Sequence, residues 1–185
     1  FRPAGVEARV AAALNRPITI GDYLWTDRDA RAELHVGSAA VRLGGETSFS
    51  FLNLDDRTVQ IQVNQGSLSS RLRRIAEDEI YEVDTPNLAF SLVRPGEYRV
   101  DVSADGNLTR VTVRDGQGEV TGGGRAYTIR ENERAEFTGT DSLTYDFEDA
   151  AQPDGFDRWS RSRDEREERS ESARYVSREM PGYED

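Results

Sequence analysis

The sequence predicts an all-β fold of stacked antiparallel strands, built as a two-layer sandwich or a short β-solenoid-like wrap, with a short helical, charged C-terminal tail. Three observations lead there. First, short alternating runs recur around glycines: Leu34-x-Val36-Gly37 before Val41-x-Leu43, Val59-x-Ile61-x-Val63-x-x-Gly66 before Leu68, and Val111-x-Val113-x-x-Gly116 before Val120. Alternation sends one set of side chains to a core and the other to water, and each glycine reads as a reversal of the chain. Second, hydrophobic residues make up 36% of the 185 residues and charged ones 32%, which is thin for a wholly globular chain. The apolar share lies mostly before about residue 147, so one core and one polar tail fit better than two cores. Third, beyond Pro153 carboxylates and guanidinium groups recur at helical spacings of three and four. The division expected is 1–150 for the β domain and 151–185 for a charged, partly helical tail.

Taken in order, residues 6–24 read as a short strand or coil, with turn signals at Asn15-Arg16-Pro17 and Ile20-Gly21-Asp22. Residues 30–36 and 39–43 form a hairpin closed at Gly37-Ser38 and ended by Gly44-Gly45. Residues 48–54 carry Phe49, Phe51 and Leu52; Asp55-Asp56 turns the chain into 58–63, and Gly66-Ser67 turns it again into 68–72. Residues 73–79 are a polar connection with room for one helical turn. Residues 80–83 lead to Thr85-Pro86-Asn87, where proline denies the ladder a donor. After 90–93, Arg94-Pro95-Gly96 is a turn, and 98–102 pairs with 108–113 across Ala104-Asp105-Gly106-Asn107. Residues 119–121, 126–129, 134–137 and 143–147 complete the β part. Asp154 then caps a helix bearing Phe156, Trp159 and the charged run 161–169, which Ser170-Glu171-Ser172 interrupts. Tyr175, Val176 and Met180 make a short apolar patch before Pro181-Gly182, and the tail is expected to dock partly on the β body.

Charge and composition exclude several classes of function. A net charge of −11 repels phosphate backbones and anionic bilayer surfaces, so neither nucleic acid nor membrane is an expected partner. Every basic residue is arginine, which reads as genomic base composition. The absence of cysteine removes disulfides and thiolate metal sites. No stretch approaches the ~18–20 apolar residues that a spanning helix needs. The start at Phe1-Arg2-Pro3-Ala4-Gly5 reads as the middle of a strand–turn unit, so an upstream segment carrying a signal peptide is expected.

No catalytic constellation emerges. His35 is the sole histidine and sits in an alternating strand, which argues against a zinc enzyme or a Ser–His hydrolase. Asp55-Asp56, Glu77-Asp78-Glu79 and Asp146 with Glu148-Asp149 read as turns and solvated edges; a glycosidase needs two carboxyls facing each other across a cleft. Asp101-x-x-x-Asp105-Gly106-Asn107 has oxygens without the order of a calcium loop. Gly122-Gly123-Gly124 lacks the lysine and helix of a phosphate cradle, and Arg71, Arg73 and Arg74 read as a charge-paired connector. Catalytic residues, cofactors and metal ligands are therefore expected to be none. The tryptophans stand apart, because tryptophan serves both cores and binding hot spots. Trp25, after Tyr23-Leu24, reads first as core and second as a contact residue; Trp159 reads equally as docking on the body or meeting a partner. The partner-binding set expected is Trp25, Phe156, Arg158, Trp159 and Tyr175.

With these residues in view, the chain resembles the FecR-type extracytoplasmic domain of bacteria. The likeness runs through Thr19-Ile20-Gly21-Asp22, Ala32-Glu33-Leu34-His35-Val36-Gly37-Ser38 and Val59-Gln60-Ile61-Gln62-Val63-Asn64-Gln65-Gly66-Ser67-Leu68. It continues through Glu82-Val83-Asp84-Thr85-Pro86, the stretch from Val111 to Val120, and Tyr127-Thr128-Ile129, covering roughly residues 15–138. The tail, with Phe156-Asp157-Arg158-Trp159 and Ser172-Ala173-Arg174-Tyr175-Val176-Ser177, is similar to that of a proteobacterial subgroup of exported FecR-like proteins of unassigned function. The chain departs from the family pattern at Arg94-Pro95-Gly96-Glu97-Tyr98 and at Asn132, and because residues 1–185 include neither the anti-sigma segment nor the membrane span of the sensor members, sigma-factor regulation is not among the expectations. The resemblance implies a non-enzymatic, periplasmic or secreted β domain that mediates protein–protein interaction in sensing or signalling, with an envelope protein as partner. The alternative is a carbohydrate- or envelope-polymer-binding module using Trp25 and Tyr23. An acidic-cleft hydrolase is a third reading.

Overall fold

Glycines with left-handed backbone decide how the strands of this chain connect. The computed structural model describes residues 1–176, with side chains as far as Ser170; the Tyr175 side chain, Met180 and Pro181-Gly182 lie outside the described residues. The chain divides into two units, Phe1–Ala151 and the segment from Gln152 onward. The first is all-β. Its strands are β1 (Tyr23–Trp25), β2 (Ala32–Val36), β3 (Ala39–Leu43), β4 (Ser48–Leu54), β5 (Thr58–Leu72), β6 (Ile80–Asp84) and β7 (Ala89–Leu92). They continue as β8 (Gly96–Val102), β9 (Leu108–Asp115), β10 (Gln117–Gly122), β11 (Arg125–Arg130), β12 (Glu133–Thr138) and β13 (Thr144–Asp149).

All thirteen strands belong to one curled sheet with two halves. One half runs β1-β4-β5-β6-β7-β10-β11 and the other β2-β3-β5-β8-β9-β12-β13, so the long strand β5 is shared. Residues 58–65 of β5 pair with β4 and β6, whereas 66–72 pair with β3 and β8. The expected turn at Gly66-Ser67 is therefore a corner inside one continuous strand. Inward residues are odd before it (Val59, Ile61, Val63) and even after it (Leu68, Leu72), all 5% exposed or less. The flip of parity is what makes one strand read as two. Gly66 takes φ +96°, and a Cβ there would lie 2.4 Å from Thr47 Cα, so only glycine fits the corner. Gly116 repeats the device at φ +94°: β9 lies in one half and β10, which pairs with β7 and β11, in the other.

By contrast Gly37 and Gly123-Gly124 do close two-residue hairpins, β2–β3 and β10–β11. Both residues of the second loop have positive φ, 54° and 73°, as a type I′ turn requires. One pair departs from the antiparallel expectation: Thr58–Gln62 of β5 runs parallel to Ile80–Asp84 of β6. The rest of β5 and the connection 73–79 carry the chain back, giving a single turn of wrap. That connection bends at Glu77-Asp78 and forms no helical turn, because the Glu79 carboxylate accepts from Ala76 N at 2.8 Å and pins a tight reversal.

The inner faces of both halves share one hydrophobic core, with Val63, Leu43, Phe90, Val111, Val113, Val120, Ile129 and Phe137 fully buried. Each such side chain contributes roughly 1.5–3 kcal/mol by leaving water. Two tyrosines lock the turns from inside. Tyr98 Oη donates to the carbonyls of Arg94 and Gln117 and accepts from Gln117 N at 3.1 Å. Burial, opposed by those backbone bonds, holds its hydroxyl above the usual phenol pKa. Tyr81 Oη accepts from Ser38 N at 3.2 Å. In the second unit, α1 (Gly155–Val176) is capped as expected: Asp154 Oδ1 accepts from Phe156 N at 2.8 Å and Asp157 N at 2.9 Å, and Asp157 Oδ2 accepts from Asp154 N at 3.0 Å. The helix continues through Ser170-Glu171-Ser172, which was expected to interrupt it; serine and glutamate weaken a helix only slightly, and no proline or glycine intervenes.

Candidate interaction surfaces

Several of the acidic turn residues do local structural work. Asp55 Oδ1 accepts from Arg57 N and Thr58 N at 2.8 and 2.9 Å, closing the β4–β5 hairpin. Asp105 accepts from Ser103 Oγ at 2.5 Å and Asn107 N at 3.1 Å, and these bonds lower its carboxyl pKa in the β8–β9 turn. Among the described residues, no group of three or more His, Cys, Asp or Glu side chains is placed to hold a metal ion. No helix among them is long and apolar enough to cross a membrane.

Trp25 lies on the surface, correcting its first reading as a core residue. Alternation along the three residues of β1 buries Leu24 and turns Tyr23 and Trp25 outward together, 42% and 41% exposed. They line an open cleft of about 370 Å³ with Phe1, Arg2, Arg9, Leu24, Ser48 and Gln65. The Arg2 guanidinium stacks 4.4 Å above the Tyr23 ring. In α1, Phe156 and Trp159 stack with ring centroids 5.9 Å apart and planes 17° from parallel, while Arg158 donates to Pro153 O at 2.8 Å. The structure thus brings Phe156, Arg158 and Trp159 together on the first turn of one helix. Tyr175 lies on the last described turn, and Trp25 belongs to the other unit.

Two edges of the β2-to-β13 half were not singled out from sequence. At β2, Leu34 and Val36 are each only 9% exposed, and the outward Glu33 carboxylate accepts from Arg42 Nε at 2.8 Å. Arg42 is wholly buried, and His35 Nε2 lies 3.5 Å from Glu33 Oε1. At β13 the alternation Tyr145-x-Phe147 puts two aromatics on the inner face, opposite the buried Phe137 and Ala135, yet they are 50% and 40% exposed. With Tyr127 of β11 they form a ring cluster at centroid separations of 4.8 to 6.5 Å. The sequence signal was the alternating Thr-Tyr-Asp-Phe-Glu-Asp run.

No family model matches the sequence, and no curated protein does. Solved structures do match. Two crystal structures of a candidate anti-sigma factor from Parabacteroides distasonis superpose on this chain with TM-scores of 0.60 each, at 15% and 14% identity. The fold is shared. The match covers 70% of this chain and 60% of that one, so the chain spans about three fifths of the length of the protein it resembles.

Proposed function

We propose that this chain is a non-catalytic interaction domain of the FecR type, working in the periplasm or outside the cell, where it recognises an envelope protein as part of a signalling or sensing system. The observation that carries the reading is the β fold shared with a candidate anti-sigma factor, and the family resemblance in residues 15–138 supports it. The engagement of Asp55, Glu79, Asp105 and Asp154 in turns and caps, and of Glu136 and Glu148 in cross-strand pairs, favours recognition over reaction. The contact surface on the helix is the exposed Arg158 and the half-buried Trp159, with Phe156, itself only 9% exposed, backing the indole. The full-length protein, tagged and compared with its Trp159→Ala variant, should capture a defined set of envelope proteins that the variant loses; recovery of the same set by both removes the helix as contact surface. Fractionation of cells expressing the full-length protein tests the location, and cytoplasmic recovery overturns it.

A second reading has its own observation. Trp25 points outward beside Tyr23, whose ring carries the Arg2 guanidinium, over a cleft flanked by Arg2 and Arg9, and its exposed indole offers a surface for a sugar ring. Titration with envelope glycans should then shift the Trp25 emission, and an unchanged spectrum removes this reading.

A further inference from the structure

Strand β13 is the outermost strand of its half-sheet and pairs on one side with β12. Its opposite side carries a row of backbone donors and acceptors available to another strand. All six of its residues are exposed. Following the outward-facing rungs across the sheet shows what that next strand should be. One rung runs Asp101 on β8, Arg110 on β9, Glu136 on β12 and Asp146 on β13. Arg110 is engaged by Glu136 at 2.5 Å and Asp101 by Arg99 at 2.9 Å, so the signs alternate until the last step, where acid faces acid. Among the described residues Asp146 makes no ion pair. The neighbouring rung ends on Glu148, which is held by Arg134. Both rungs therefore finish in a carboxylate, and like charges directly opposite cost stability that a following basic residue offsets.

The inner face ends equally unfinished. Tyr145 and Phe147 extend the buried Phe137 row beyond the core and leave half of their surface in water, a combination that edge strands normally avoid. A strand laid along β13 would cover them with its own inward residues and set its outward ones against Asp146 and Glu148.

We propose that β13 is the docking edge for an extended segment of a partner protein in which basic and apolar residues alternate. This rests on the interaction-domain reading above and gives its partner a chemistry. Charge selects this occupant over a second copy of the chain: β13 carries Asp146, Glu148, Asp149 and no base, so two β13 edges repel. Backbone ladder bonds supply the affinity, and the i, i+2 period of basic side chains supplies the selection.

The test titrates the full chain with a labelled synthetic peptide of roughly eight residues, a usual strand length, alternating Arg and Val. Controls are an alternating Glu/Val peptide and a block Arg–Val peptide of the same composition. Preferred binding of the alternating basic peptide by about tenfold or more, with weakening as salt rises, is the expected result. Asp146→Lys should reduce that binding by about tenfold while leaving the denaturation midpoint no lower than that of the wild type. In the wild-type protein, binding should slow amide hydrogen exchange across Thr144–Asp149. Equal binding of all three peptides, indifference to Asp146→Lys, protection confined to another strand, or self-association through this edge would each overturn the proposal. If Asp146→Lys leaves envelope-protein capture unchanged while Trp159→Ala abolishes it, the edge is wrong and the wider reading stands. If neither the wild type nor any variant captures a protein, the wider reading fails.

Discussion

The two outer strands of one half-sheet, β2 and β13, solve the same problem in opposite ways. At β2 the inward Leu34 and Val36 are covered, and the outward Glu33 is matched by a guanidinium that is itself wholly buried. At β13 the inward Tyr145 and Phe147 remain half in water, and the outward Asp146 faces Glu136. Identical ladder geometry thus gives one finished edge and one unfinished one, and the difference lies in the charge and size of a few side chains. Stability is concentrated at the first edge, and capacity for a partner at the second.

The sharpest way to break the contrast is Arg42→Ala. It removes the guanidinium from which the Glu33 carboxylate, only 15% exposed, accepts, and leaves a hole where the arginine stem lay. The unfolding free energy from urea titration should fall by about 3–5 kcal/mol; a loss below about 1 kcal/mol would mean that the β2 edge is not held by this pair. Next come matched truncations. Leu34→Ala should cost about 2–3 kcal/mol, while Phe147→Ala, removing a larger but more exposed side chain, should cost no more than about 1.5 kcal/mol. Equal losses would erase the distinction between the edges. Asp146→Lys is expected to stabilise by a few tenths to about 1 kcal/mol, because it replaces a like-charge pair with Glu136 by an opposite one.

The smallest effect concerns surplus acid within the sheet instead of at its border. Burial raises the carboxyl pKa of Asp84 in β6 above its ordinary 3.8, Glu82 adds to the rise, and hydrogen bonding by Gln60 opposes it. One of its oxygens, Oδ2, is buried without a hydrogen-bond partner. A raised folded-state pKa means that the folded chain holds the proton more tightly than the unfolded one. The Asp84 contribution to stability is therefore greatest below the ordinary value and declines as pH climbs through the raised one. Asp84→Asn should remove that decline and raise the denaturation midpoint slightly at neutral pH; a lowered midpoint would show that the ionised carboxylate is stabilising.

Much of the strand plan was legible because its causes are local. The alternation of Tyr98, Val100 and Val102, the Asp105-Gly106 turn and the Asp154 cap each depend on a few neighbouring residues, and each formed where the pattern put it. Trp25 was misplaced because an indole fits a core and a surface equally, and three residues of β1 do not say which side faces inward. Arg42 gave no signal at all: an arginine in a strand reads as solvated until its buried partner is known. Tyr145 and Phe147 were visible as an alternating pair, but their exposure depends on β13 having no further strand beside it among the described residues.

By itself the sequence determined where chain direction or side-chain parity had to change, since glycine adopts φ between +54° and +96° with the least steric cost. Only the tertiary structure decided what each change became. Gly37 closes a hairpin, whereas Gly66 and Gly116 carry a strand around a corner into the other half of the sheet. The local backbone is left-handed in every case, so the outcome rests on which distant strands offer hydrogen bonds beyond the glycine, and no short-range pattern contains that.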